Sequence, residues 1–382
     1  MASVSPTLSE PSLSRLESAP SATDEKLAAL VRRTFGAELT ATAMAGGARL
    51  RRYFRLSLPG GKSAVAMFVP EGRSSEEIQR AHTCARWPFL EVRDLLAEHG
   101  VDVPDILGED TAHGWLLIED LGDETLANWL VKHPADRERL YRKAVRDLAR
   151  AQNELAALPV GCVVSERPFD FDLLRWEIEH FNEWVLTARG KPLSSADVPR
   201  FQRVADHLAR RVAELPRGFV HRDYQSRNIM VVPGANKDGS PGPRLVWIDF
   251  QDAVLGPRVY DLAALLNDSH QEFARDFIEA RIDDYADATS SLERLSGGAS
   301  EAGITEERAR LRYEFDLVTV QRKLKDAGRF VFMDRREGNS SFLRFVGPTI
   351  RKIDGALTRL TPHDPQMAEL REILHRTLGD LE

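Results

Sequence analysis

Asp223 and Asn228 stand five residues apart in His221-Arg222-Asp223-Tyr224-Gln225-Ser226-Arg227-Asn228, and Asp249 follows in Ile248-Asp249-Phe250. One carboxylate able to take a proton, and an amide and a second carboxylate offering hard oxygens to a divalent cation, are what phosphoryl transfer asks of a protein. In that chemistry Asp223 accepts the proton of an acceptor hydroxyl, and Asn228 and Asp249 hold Mg²⁺ beside the phosphates of ATP. A lone H-R-D tripeptide occurs by chance, and a lone Asp after a strand is often only a turn residue. The set gains weight from its context, because apolar runs at Phe219-Val220, Ile229–Val232 and Leu245–Ile248 read as the strands that would carry it. Asp261, in Tyr260-Asp261-Leu262-Ala263, reads as a helix-start carboxylate that accepts backbone amides. With His221 it is expected to brace the loop rather than to react.

Those residues need a scaffold, and the hydrophobic pattern changes character along the chain. Alternation in Tyr53–Leu58 and the run Ala64–Val69, separated by Pro59-Gly60-Gly61, predicts a β-hairpin, and Trp115–Ile118 predicts another strand. Ser74 and Glu77 form a capping box for a helix between them. Beyond Gly122 the period becomes helical. One stripe runs through Leu140, Ala144, Leu148, Ala151 and Leu155, a second through Phe171, Leu174, Ile178, Phe181 and Val185, and a third through Phe201, Val204, Leu208, Val212 and Leu215. The expectation is a two-lobed, protein-kinase-like α+β fold. Residues 1–23 form a Ser/Pro/Ala-rich disordered tail, 24–122 a small mixed lobe with its hinge, and 123–382 a larger helical lobe. Pro233–Pro243, rich in Gly and Pro, reads as a surface insertion.

The nucleotide side is less regular. Gly46-Gly47 are the small residues available where a phosphate loop is expected, followed by Arg49, Arg51, Arg52 and Arg55. Alternation puts Arg51, Tyr53 and Arg55 on one strand face and Arg52 with Phe54 and Leu56 on the other, so Arg52 needs a phosphate or a carboxylate. The strand Ala64–Val69 carries Met67 where protein kinases place a phosphate-pairing lysine. Lys62 would face opposite to Met67, so Arg51 or Arg52 is expected to supply the missing charge. Glu119 to Leu121 would connect the lobes and offer backbone groups to the adenine.

Composition excludes other classes. The 382 residues are 42% apolar and carry a net charge of −7, which speaks against nucleic-acid or anionic-membrane partners. Two cysteines, Cys84 and Cys162, are too few for a disulfide scaffold or a zinc cage. With no apolar run approaching 18 residues and no secretory pattern at the start, a cytoplasmic enzyme is expected.

From Val220 to Asp268 the order H-x-D-x-x-x-x-N, I-D-F, D-L-A resembles the aminoglycoside phosphotransferase-like kinases. Within them the chain is most similar to the bacterial anomeric sugar kinases. The likeness rests on Arg51-Arg52-Tyr53-Phe54-Arg55, Trp115–Gly122, His221–Tyr224, Asp249–Val254, Leu173-Leu174-Arg175-Trp176-Glu177 with Glu183-Trp184, and Val320–Lys325. The resemblance implies ATP- and Mg²⁺-dependent phosphorylation of the C1 hydroxyl of N-acetylmuramate or N-acetylglucosamine in cell-wall recycling. It also implies a pathway neighbour that is a sugar-1-phosphate nucleotidyltransferase. Sugar-facing groups are then expected among Arg175, Glu183, Arg227 and Asp252. Arg175, Glu177, Glu183 and Trp184 would lie on the helix stripe away from the core, where a solvated face is an equal reading. Two other readings stay open: a kinase of another small alcohol such as an aminoglycoside, choline or homoserine, and a nucleotide-binding pseudokinase.

Overall fold

The computed structural model describes residues 22–44, 51–69, 86–234, 241–289 and 300–379. The chain divides into two compact units, Met1–Arg73 with Asp105–Asp120, and Ser74–Pro104 with Leu121–Glu382.

In the first unit, helix α1 (Ala22–Phe35) precedes strands β1 (Ala41–Ala43), β2 (Arg52–Leu58) and β3 (Lys62–Phe68), with two further strands supplied by the second segment. The expected hairpin forms, Arg52 opposite Phe68 through Leu58 opposite Lys62, and Gly60 and Gly61 turn it at φ 75° and 72°, where a Cβ would be strained. Alternation sends Leu56, Ala64, Ala66, Trp115 and Leu117 onto Leu27, Leu30 and Val31 of α1, forming a small core of their own.

The second unit begins with helix α2 (Pro88–Glu98). Strands β4 (Ile106–Asp110) and β5 (Trp115–Glu119), which complete the first unit's antiparallel sheet in the order β1-β2-β3-β5-β4, lie between α2 and the remainder. This differs from a single boundary at residue 122. Val92, Leu95, Leu96, Val101 and Val103 belong to the large core of the second unit, and the Trp247 N–H donates to Asp102 O at 2.8 Å. The capping box at Ser74 and Glu77 and the residues 1–21 lie outside the described residues.

After helix α3 (Leu126–Lys132), the first stripe lies on α4 (Arg137–Glu154), the second on α5 (Phe171–His180) and the turn that follows it, and the third on α6 (Asp197–Ala213), with Leu155 and Leu215 just past the ends of α4 and α6. After α5 the backbone widens into a π-helical turn over Phe181–Thr187. Strands β6 (Arg217–Val220) and β9 (Val254–Pro257) pair, as do β7 (Ile229–Val232) and β8 (Arg244–Trp247). Helices α7 (Val259–Leu266) and α8 (Arg275–Thr289) lead to the 37-residue α9 (Glu301–Glu337), then α10 (Val346–Leu360) and α11 (Pro365–Leu378). Ser300 caps α9 by accepting from Gly303 N at 3.2 Å, and Gly338 ends it at φ 67°. From Leu311 to Val331 the helix is largely buried, in contact with α5, α7 and the π-helical turn. No described helix is long and apolar enough to cross a membrane.

Candidate active site

Asp223 sits in the loop between β6 and β7, and Asp249 two residues beyond β8. One histidine ties the two loops together. The backbone N–H of Asp223 donates to His221 Nδ1 at 3.3 Å, and His221 Nε2 lies 3.0 Å from Ile248 O. An amide can only donate and a carbonyl can only accept, so Nδ1 is bare and Nε2 carries the proton. Complete burial lowers the pKa of the ring, although Asp223 and Asp249 oppose the shift, and this keeps it in the neutral form the two bonds need.

Beneath the loop, Asp261 is fully buried at the start of α7 and accepts from His221 N at 2.6 Å and Arg222 N at 2.9 Å. Burial pushes its carboxyl up to about 7, an effect that the two amides and Arg322 only partly offset. Between these amides the chain takes an unusual turn, for Arg222 has φ 77°, in the left-handed region that a branched side chain avoids. Strain of about 1–2 kcal/mol persists only where neighbours over-determine the conformation. Three do so here. Asp261 takes the Arg222 N–H, Arg322 Nη1 donates to Arg222 O at 2.7 Å, and the Arg222 guanidinium donates to Glu177 Oε1 at 2.9 Å.

Glu177 corrects an expectation. It is not on a solvated stripe but has no exposed surface, and it also accepts from Gln321 Nε2 at 2.9 Å. Trp184 is 8% exposed and likewise buried, because the π-helical turn rotates the helix face that carries it.

The Asp223 side chain, 36% exposed, points its carboxylate towards cations. Burial would raise its pKa, but Lys325, Arg322, Arg222 and Arg227 together bring it down to about 2. Arg322 Nη2 lies 3.5 Å from Asp223 Oδ1. An ionised, partly open carboxylate is the form a proton acceptor requires at neutral pH.

Asn228 Nδ2 donates to Asp223 O at 2.8 Å, which turns its amide oxygen away from that bond as a hard-oxygen donor. Asp249 adopts φ 63°, which an aspartate tolerates better than most residues, and its Oδ1 accepts from Gln251 Nε2 at 2.9 Å. An amide oxygen and a carboxylate are the kind of protein donors Mg²⁺ accepts, completing its shell with phosphate and water, so the residues fit that ion.

The other expected site residues fall in several places. Arg227 is exposed in the catalytic loop, Nη1 3.2 Å from His270 Nε2, and Asp252 lies 3.5 Å from Gln251 Nε2. Arg175 is engaged between helices: it bonds Asp206 at 2.7 Å, Glu179 at 2.9 Å, and Gln202. Glu183 in the π-helical turn is 56% exposed and 3.8 Å from His180. In the first unit Arg52 is exposed, with its guanidinium 4.7 Å above the Phe68 ring, so an aromatic face partners the charge that seemed to need a carboxylate or phosphate. Arg51 is half-buried at the start of β2, Met67 has no exposed surface, and Glu119 Oε2 accepts from Asp105 N at 3.3 Å. Leu121 is half-buried, while Gly46 and Gly47 lie outside the described residues. The sequence pattern gives no role to Arg322 or Lys325 and places Glu177 on a sugar-facing or solvated stripe rather than in the interior. The available signal was Gln321-Arg322-Lys323-Leu324-Lys325-Asp326, five polar residues among six directly after the mostly apolar Leu317-Val318-Thr319-Val320.

A bilobal kinase-like scaffold with this loop defines a phosphotransferase. Residues 40–296 match the phosphotransferase enzyme family known as APH, two thirds of the chain, and the chain belongs to that family. It is therefore a kinase whose acceptor is an alcohol group. The chain is similar to the N-acetylmuramate/N-acetylglucosamine kinase of Pseudomonas aeruginosa, 33% identical over 86% of this chain and 85% of that protein. It is also similar to the enzyme of the same name from Pseudomonas putida, 31% identical over 92% and 93%. In fold it resembles choline kinase from Cryptosporidium parvum, with a TM-score of 0.57 at 10% identity covering 91% and 98% of the two chains. Aminoglycoside 2'-phosphotransferase-IIIa in its GDP complex gives 0.54 at 16% identity, covering 87% and 99%.

Proposed function

We propose that this kinase uses ATP and Mg²⁺ to phosphorylate the C1 hydroxyl of N-acetylmuramate or N-acetylglucosamine. The observation that supports the reading is one neutral histidine tying the loop of an ionised Asp223, which Asn228 bonds, to the strand end before Asp249, in a chain similar over most of its length to proteins named N-acetylmuramate/N-acetylglucosamine kinase. Asp223 takes the acceptor's proton as the hydroxyl oxygen attacks the γ-phosphorus. Asn228 and Asp249 would hold the metal ion, which neutralises charge on the nucleotide phosphates. An anomeric hydroxyl is more acidic than an ordinary alcohol, which suits a carboxylate base held at about 2. For the sugar we favour Arg227 and Asp252 over Arg175 and Glu183, because Arg175 is occupied by α6. Arg51, Arg52, Glu119, Leu121 and the Gly46-Gly47 pair are our candidates for the nucleotide. Cytoplasmic sugar recycling, with a nucleotidyltransferase consuming the product, would follow from this activity.

The test is incubation with ATP, Mg²⁺ and a panel of N-acetylmuramate, N-acetylglucosamine, glucose, an aminoglycoside and choline, with products read by phosphorus NMR. Phosphorus coupled to an anomeric proton is expected with the N-acetylated sugars. Asp223→Asn should lower kcat by roughly 10²–10⁴-fold with the ATP dissociation constant unchanged. Turnover confined to another acceptor would keep the centre and discard the sugar. ATP binding without any turnover would favour a pseudokinase.

A further inference from the structure

Helix α9 brings three cations to the catalytic loop, and two of them are already engaged. Arg322, fully buried, gives one nitrogen to Arg222 O at 2.7 Å, sets another 3.5 Å from Asp223, and lays its guanidinium carbon 4.8 Å from the Tyr260 ring centre. Lys323 donates to Asp326 at 2.9 Å and to Ser269 Oγ at 3.3 Å. Lys325 differs. Its ammonium has Asp326 at 3.8 Å, beyond hydrogen-bonding distance, and forms no hydrogen bond among the described residues. Three residues after Arg322, it lies on the same helix face as the guanidinium that touches Asp223. Its side chain is 13% exposed, so the ammonium is largely desolvated without being sealed off. The Asp326 carboxylate gathers the two cations, lying 3.8 Å from the Lys325 ammonium and 3.9 Å from Nε of the Arg322 guanidinium whose Nη2 is 3.5 Å from Asp223. Burial works against the Lys325 charge, yet the Glu177 carboxylate favours the protonated ammonium.

A desolvated ammonium with three donors and no hydrogen-bonding partner among the described residues, on the helix face whose guanidinium meets the base, is suited to an anion that arrives during the reaction. Resting on the sugar-kinase reading above, we propose that Lys325 is a catalytic residue that binds the phosphoryl group in flight. In the step it serves, the acceptor oxygen forms a bond to the γ-phosphorus as the bond from that phosphorus to the β,γ-bridging oxygen breaks. The bond electrons leave with ADP, the hydroxyl proton passes to Asp223, and Lys325 keeps its proton and donates hydrogen bonds to the equatorial oxygens. The attacking hydroxyl must lie within hydrogen-bonding reach of Asp223 and in line with phosphorus, which brings those oxygens to the same neighbourhood.

The experiment compares wild type, Lys325→Met and Lys325→Arg in steady-state turnover of N-acetylmuramate and of N-acetylglucosamine, with ATP binding by calorimetry and thermal melting alongside. Loss of one preorganised donor to developing charge should lower kcat of Lys325→Met roughly 10²–10³-fold, equally for both sugars, with the ATP dissociation constant within about twofold of wild type. Lys325→Arg should recover part of that loss, which a merely structural role would not predict. Wild-type-like kcat for Lys325→Met overturns the proposal, and so does a rise in KM for N-acetylmuramate alone, which would make Lys325 a ligand of the substrate carboxylate. If Lys325→Met does not fold, Lys325→Arg decides: full activity or unchanged kcat with a KM effect on one sugar overturns the assignment, and a kcat loss shared by both sugars supports it. Failure of the wild type to phosphorylate either sugar is a separate result, and it refutes the sugar-kinase reading and with it the step assigned here.

Discussion

Arg222 in the catalytic loop has its N–H, its carbonyl and its guanidinium bonded to three different buried partners, whereas Arg52 on β2 is exposed and rests its charge on the Phe68 ring. The contrast extends to the surroundings. Around Arg222, Glu177, Asp261 and Arg322 are fully buried and interlocked, and each holds another in place. On the sheet, Met67 is an apolar residue of the interior and the charges stand at the strand's open positions. The loop for which we propose a base and two metal-binding oxygens is built from buried polar bonds, each expensive to leave unmade. A surface that only attracts phosphate can rely on charge at the ends of long side chains.

The sharpest way to break that contrast is Asp261→Ala. The change strands the amides of His221 and Arg222 without partners in the interior, at about 1–3 kcal/mol each. The melting temperature should fall markedly, and kcat with it, since the φ of Arg222 loses one of its three restraints. Asp261→Asn removes the titration, although its amide nitrogen cannot accept and one of the two backbone N–H groups loses its partner. The native carboxyl is held at about 7 against an ordinary 3.8, so between those values the folded protein keeps a proton that the unfolded chain has released. This group's contribution to stability is therefore full below pH 4 and lost as pH rises towards 7. Denaturant titrations across that range should show a shallower decline in Asp261→Asn than in wild type.

Met67→Lys tests the other side. An ammonium at a fully buried strand position, opposite Tyr53 and Leu116, is expected to lower stability by several kcal/mol. A variant that melted like wild type and bound ATP more tightly would mean that the strand can host the lysine after all, and the role given to the arginines would fall.

Gly328→Ala comes next. A Cβ at Gly328 would meet the carbonyl carbon and oxygen of His180 at 2.7 Å, backbone atoms that cannot swing aside. The close approach lets α9 press against the π-helical turn and seats Arg322 beside Asp223. Overpacking of this kind costs about 1–3 kcal/mol. Calorimetric melting should register it, together with a fall in kcat larger than any change in KM.

How much of this was legible in the sequence follows from the same contrast. The H-R-D-x-x-x-x-N and I-D-F segments, the hairpin and the helix stripes are local patterns, and a period or a spacing suffices to read them. Glu177 falls on the helix stripe opposite the core, which reads equally as sugar-facing or solvated, and only the arrival of Arg222 and Gln321 from distant segments explains its burial. Arg322 and Lys325 lie about a hundred residues from Asp223, so no local spacing joins them. A polar residue in the interior is defined by a partner elsewhere in the chain, and that is the information a single strand of letters does not display.

The smallest effect on stability is expected from Arg52→Ala, and it bears most directly on the sheet. An exposed guanidinium over an aromatic ring contributes about 0.5–1 kcal/mol, so melting should hardly move. If the charge serves the nucleotide, KM for ATP should rise about tenfold or more, the weight of a hydrogen bond to a charged group, while KM for the sugar stays put. Arg52→Lys separates charge from shape: recovery of KM means that an ammonium serves as well, and no recovery means that the planar guanidinium is needed. Arg51→Ala run beside it identifies which of the two neighbours carries the role. Unchanged ATP kinetics in both alanine variants would leave these charges as a solvated strand face, and Lys325 would then be the principal cation that the protein offers to the phosphates.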